Sequence, residues 1–114
     1  MSITDEMQQT IEAVREKCPL VHCMTNYVTV NDVANALLAI GGSPIMADAI
    51  EETADITGIS QALVINIGTL NTRTVTSMLA SAARANRLQI PVVFDPVGAG
   101  ASAFRNITSK TIMD

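Results

Sequence analysis

The chain has 114 residues, of which 48% are apolar. That suits one domain of ordinary size, hiding roughly two-thirds of its unfolded surface, and excludes broad disorder. The net charge is −4, and seven Lys and Arg are scattered along the chain, which leaves no electrostatic footprint for nucleic acid or an anionic membrane surface.

The N-terminal segment MSITDEMQQTIEAVREK is polar and lacks the apolar stretch of a secretory signal. Met7, Ile11 and Val14 recur at helical spacing and predict a first helix over about residues 4–17. Cys18-Pro19 stops it. Leu20–Cys23 is a short apolar run and a candidate buried strand. After Thr25-Asn26, the residues Val30, Val33, Ala34, Leu37 and Leu38 form one helical stripe that Gly41-Gly42 ends. Ser43–Met46 is a second short strand, and Asp48 and Glu51 have capping-box spacing for a short third helix to about Gly58.

Ala62–Ile67 reads as a third strand. Asn71 is placed to cap a fourth helix with Val75, Met78, Leu79, Ala82 and Ala83 inward. Pro91–Phe94 is a fourth strand, closed by Asp95-Pro96, and a fifth helix opens near Ala103. Strands alternating with helices imply right-handed crossovers and an α/β fold, a parallel sheet with flanking helices. Aromatics are scarce (Tyr27, Phe94 and Phe104), so its core is aliphatic. No apolar run approaches the roughly 20 residues of a membrane span. Cys18 and Cys23 lack metal partners at useful spacing and read as reduced thiols, which suggests a cytoplasmic protein.

In such a sheet, ligands sit beyond the carboxyl ends of the strands. Asn26 stands there with both a donor and an acceptor, although spacing alone favours its reading as the N-cap of the second helix. Asn31 and Asn35 share a helix face, either solvated or part of a buried network. Met46 carries a polarizable thioether suited to a flat heteroaromatic ring, although strand methionines usually belong to the core. Asn66, Gly68 and Thr69 form a polar turn with little functional signal of its own. Asp95 offers a carboxylate for Mg²⁺, or the side chain of an Asp-Pro turn. Gly98–Ser102 matches neither a dinucleotide fingerprint nor a Walker A loop, so a Rossmann unit ranks low. His22, inside a strand, is expected to be structural, and Cys23 a buried thiol rather than a nucleophile.

Three segments in order, PLVHCMTNYVTVNDVANALLAIGGSPIMADAIEE, ALVINIGTLN and PVVFDPVGAGAS, resemble the N-terminal part of hydroxyethylthiazole kinase. The likeness runs from about Cys18 to Ser102 without an evident gap. It implies a partial ribokinase-like fold, with residues 1–114 as one portion of a single kinase domain. It implies phosphorylation of 4-methyl-5-(2-hydroxyethyl)thiazole in thiamin salvage, with ATP as co-substrate, Mg²⁺, and a homotrimer with sites at subunit boundaries. Family thiazole-binding positions map to Asn26 and Met46, and Asp95 falls near the Mg²⁺–phosphate region. The implied reaction is in-line transfer, in which the substrate hydroxyl attacks the γ-phosphorus. The ATP-binding and catalytic groups of the family belong to a later half, so the catalytic residues of this chain are unknown. The chain is therefore expected to be a fragment, inactive alone. The alternative is a non-catalytic remnant that only binds a small molecule or oligomerises.

Overall fold

The computed structural model describes all 114 residues, Met1–Asp114. Helix α1 spans Ile3–Lys17 and opens on a capping box. The Ser2 side chain accepts from the Asp5 N–H while Asp5 reaches back to the Ser2 N–H. Cys18 ends it in the left-handed region at φ 47°, a conformation that closes a helix and turns the chain into Pro19. Strand β1 (Leu20–Met24), helix α2 (Val30–Ile40) and strand β2 (Ser43–Ile45) follow. Then come α3 (Thr53–Gly58), β3 (Ala62–Asn66), α4 (Thr72–Leu88), β4 (Val92–Asp95) and α5 (Ala103–Met113). Every element expected from the sequence is present.

The four strands form one parallel sheet in the order β2-β1-β3-β4. From β1 the chain steps outward to β2, then crosses back over β1 to reach β3. With right-handed crossovers, that reversal places α2 on one face and α3 and α4 on the other. The point of reversal lies between β1 and β3, where doubly wound sheets open a crevice at their carboxyl ends.

The core lies on the α4 side. Leu63, Ile65 and Ile67 are wholly buried there against Met24, Met78 and Ala85. Strand β1 is buried from Val21 to Met24, so both its faces are covered. Strand β3 alternates instead, because α2 packs on β2 and leaves the far side of β3 and β4 open. Val93, on that open side, is 63% exposed.

Three sequence expectations change. Asp48 and Glu51 do not cap α3, whose N-cap is Glu52 without a side-chain bond. Asp48 is drawn away by Arg73. The buried face of α4 is Thr74, Ser77, Met78, Ser81 and Ala85, with Ala83 exposed. The helix turns its small side chains toward α3, where Thr53 and Ser81 hydroxyls meet at 2.6 Å, both fully buried. Hydroxyls at so close a helix contact need each other, since an unpaired buried one is costly. On α2, Val33, Ala34 and Leu37 are half-buried, but Val30 and Leu38 remain exposed.

Candidate functional site

A cavity of about 160 Å³ opens at the carboxyl end of β1 and β2. Its floor is Cys23, Met24 and Met78, and Met46 and Ala47 form a wall. Thr25, Tyr27, Val30, Asp48 and Thr74 form the rest of the lining. The volume matches an apolar cavity of about 150 Å³ that accepts benzene. It suits a ligand with one small ring.

His22 helps fix the wall. It is wholly buried, with Nε2 2.7 Å from the Ala47 carbonyl and Nδ1 2.8 Å from the Thr57 hydroxyl. A carbonyl only accepts, so Nε2 carries the proton and Thr57 donates to Nδ1. Burial lowers the His22 pKa and keeps the ring neutral, against smaller upward pulls from Ala47 and Glu52. Both ring nitrogens are used structurally, as expected. Burial also pushes the Cys23 thiol up to about 11, so it stays protonated and is no nucleophile.

Tyr27, Asp48 and Arg73 form the rim. Arg73 donates to both carboxylate oxygens of Asp48, at 3.3 and 3.1 Å, and to its carbonyl at 3.2 Å. The hydrogen bond to Asp48 and its negative charge hold the guanidinium more firmly charged. The pair is exposed on both sides, so it orders the rim more than it stabilises the fold.

Asn26 lies beside the cavity rather than in its lining. It is 8% exposed. Its Oδ1 accepts from the Val28 and Thr29 N–H groups and the Thr29 hydroxyl, at 3.0 to 3.1 Å. The N-cap position of α2 belongs to Thr29, which makes no side-chain cap bond. Asn26 therefore corrects the simple capping expectation: it shapes the whole turn before the helix. Asn31 and Asn35 are both exposed, so that helix face is solvated.

The Asn26 amide nitrogen donates to Asn66 Oδ1 at 2.9 Å. Asn66 Oδ1 also accepts from the Gly68 N–H at 2.8 Å, and Asn66 Nδ2 donates to Asp95 Oδ2 at 3.3 Å. Asp95 itself is exposed at the end of β4. Gly68 is a position of close approach: a Cβ there would lie 2.6 Å from Asn26 Nδ2. Arg105 reaches from α5 to the carbonyls of Ile67, Gly68 and Val97 at 2.6, 3.1 and 2.7 Å. It ties the Asp95–Gly100 loop to the turn after β3.

Mg²⁺ is commonly held by one or two carboxylates together with phosphate oxygens and waters. No three His, Cys, Asp or Glu side chains converge in this chain. Asp95 keeps its second oxygen, Oδ1, free of hydrogen bonds, so it fits as a single carboxylate donor in such a site.

The structure thus puts Met46 in a cavity and links Asn26 to Asp95 through Asn66. Sequence reasoning set Asn66 and Asp48 at strand ends on this edge through the strand-end rule but gave them no role in the site, and it missed Arg73 and Arg105, which nothing in the sequence placed there.

The family model of the hydroxyethylthiazole kinase family matches residues 11–114. A hydroxyethylthiazole kinase of Clostridium beijerinckii is 66% identical over 112 residues, covering 98% of this chain and 41% of the relative. That of Ruminiclostridium cellulolyticum is 65% identical, covering 97% of this chain and 41% of the relative. The solved hydroxyethylthiazole kinase protein from Pyrococcus horikoshii OT3 superposes with a TM-score of 0.93 at 47% identity, over 96% of this chain and 43% of that one. The chain spans about four-tenths of the length of the relatives it matches. No helix is long and apolar enough to cross a membrane.

Proposed function

This chain belongs to the hydroxyethylthiazole kinase family, and from that premise we propose that it supplies the alcohol-binding side of an ATP-dependent thiazole kinase of thiamin salvage. The observation that carries this reading is the cavity of about 160 Å³, with Met46 in its wall, at the strand ends. A methylthiazole ring is flat and polarizable, and a thioether is a favourable partner for such a ring. The ring lies between Met46 and Met78, with its hydroxyethyl arm toward the turn after β1. Asn26 binds there through its second amide hydrogen, since one hydrogen of Nδ2 already goes to Asn66.

Asp95 is the residue that would hold Mg²⁺, which when bound offsets negative charge on the nucleotide phosphates. The chain's own part in the reaction is to exclude water from the ring and to aim the hydroxyl. Orientation of that kind lowers the barrier of phosphoryl transfer without a covalent step. The groups that hold ATP and take the proton from the hydroxyl are not among the residues of this cavity and the loops beside it. The chain works in the cytoplasm within a homotrimer, whose neighbouring subunit closes the open side of the cavity. The exposed apolar side chains of α2 and of the turn before it support that contact.

A second reading is a binding or oligomerising module without catalysis. Calorimetric titration of the thiazole alcohol separates the possibilities. Binding by the wild type that weakens about tenfold in Met46→Ala supports the assigned pocket. Equal affinities count against it. The 114-residue chain alone is expected to show no ATP- and Mg²⁺-dependent phosphorylation, and measurable turnover would remove the division of labour proposed.

A further inference from the structure

The hydrogen bonds beyond β1, β3 and β4 form one connected line with a fixed direction. Gly68 presents a backbone N–H to Asn66 at 2.8 Å, and an N–H only donates. The atom facing it must be Oδ1, which leaves Asn66 Nδ2 toward the carboxylate of Asp95. The same reasoning fixes Asn26, whose Oδ1 faces the Val28 and Thr29 N–H groups, so its Nδ2 faces Asn66. Neither amide can flip without setting a donor against a donor. Asn66 stands opposite Asp95 in the strand register, and it sits on β3 at the reversal point of the sheet.

We propose that Asn66 is a positioning residue that couples Asn26, on the cavity side, to Asp95, on the loop side. It sets the distance and orientation between the group that meets the substrate alcohol and the carboxylate that meets the phosphates. This rests on the substrate and metal-side roles proposed above for Asn26 and Asp95. Gly68 and Arg105 brace the relay. Gly68 gives its N–H to Asn66 and its carbonyl to Arg105, and the space where its side chain would stand is filled by Asn26. One oxygen of Asp95 is engaged by Asn66, so the carboxylate presents the other outward.

The test uses the ¹⁵N-labelled chain and the side-chain amide signals of Asn26 and Asn66. Asp95→Ala is expected to displace the Asn26 signal, although Asn26 and Asp95 share no hydrogen bond. In an Asn66→Leu background the same substitution leaves that signal in place. A merely structural Asn66 would not carry this response. Titration with the thiazole alcohol forms the second arm. Asn66→Leu, which removes both acceptor and donor, is expected to bind about tenfold more weakly. The double variant Asn66→Asp with Asp95→Asn keeps the acceptor for Asn26 and Gly68 and reverses the donor between positions 66 and 95 without setting two carboxylates face to face, so it stays within about threefold of the wild type.

An Asn26 signal indifferent to Asp95→Ala overturns the relay. So does an Asn66→Leu chain that titrates like a binding wild type. If Asn66→Leu does not fold, the double variant Asn66→Asp with Asp95→Asn decides the second arm, and a tenfold loss there counts against the assigned acceptor role. If the wild type itself does not bind the alcohol, the substrate reading fails, and the amide signals alone decide the relay.

Discussion

Single side chains at the strand ends carry most of the specificity of this region, and their surroundings allow definite expectations. Gly68→Ala would force a Cβ to within 2.6 to 2.9 Å of the Asn26 side chain. Asn26 is anchored by the turn and by Asn66, so it has no easy retreat. The substitution is expected to destabilise the fold by about 1–3 kcal/mol, in the range of overpacking, and to shift the Asn26 amide signals. Urea unfolding with amide spectra checks both, and an unshifted spectrum at full stability would refute the close approach. His22 gives a pH dependence. Its pKa is lowered below 6.5 by burial, so the unfolded chain binds more protons in the window below that value. The stabilisation is whole above pH 6.5 and is lost as pH falls through the lowered value in the folded protein. Unfolding midpoints should therefore drop between about pH 7.5 and about pH 5.5, together with the folded fraction of the His22 ring signal. A midpoint that rises over that interval has the wrong sign.

Elements were more legible than their faces. Periodicity and breakers placed all nine segments, because Gly41, Cys18-Pro19 and Asn71 act on the local chain. The inward face of α4 was only partly legible. Apolar spacing pointed to Val75, Met78, Leu79, Ala82 and Ala83; Met78 is buried and Ala82 packs on the core, but Ala83 is exposed and close packing on α3 selected Ser77 and Ser81. A hydroxyl buried by pairing with another helix leaves no periodic trace in a hydrophobicity pattern. The same holds for the site. Asn26, Met46 and Asp95 stood at strand ends that the order of elements made visible, whereas their link through Asn66 depends on strand register. Caps give an element-scale test. The Asn71 side chain accepts from the Thr74 N–H at 3.0 Å, whereas Glu52 makes no such bond at the start of α3. Asn71→Ala is expected to cost about 1 kcal/mol and Glu52→Ala less than about 0.5 kcal/mol. Equal costs in chemical denaturation would show that the cap geometry does not set helix stability here.

At the scale of the whole molecule, the surface is larger than the mass requires. A self-sufficient monomer of 12.1 kDa exposes about 6,000 Å², and this chain exposes 6859 Å². The radius of gyration is 14.6 Å, against about 13 Å for a compact domain of this length. Exposed apolar side chains lie along α1 at Ile3 and Met7, at and before α2 at Val28, Leu38 and Ile40, and on the open side of β4 at Val93. Apolar surface in such amounts favours association, because its removal from water is worth roughly 25 cal/mol per Å². The α2 patch adjoins the cavity through Val30, which lines it, so contact there would also shield a bound ring from water. Sedimentation velocity is expected to show species larger than the monomer, with the weight-average coefficient rising with concentration. Leu38→Lys should shift that balance to monomer and leave the unfolding midpoint nearly unchanged, since Leu38 is already 59% exposed. If Val93→Lys dissolves the assembly and Leu38→Lys does not, the contact runs through the β4 edge instead, and the cavity has no neighbour to close it.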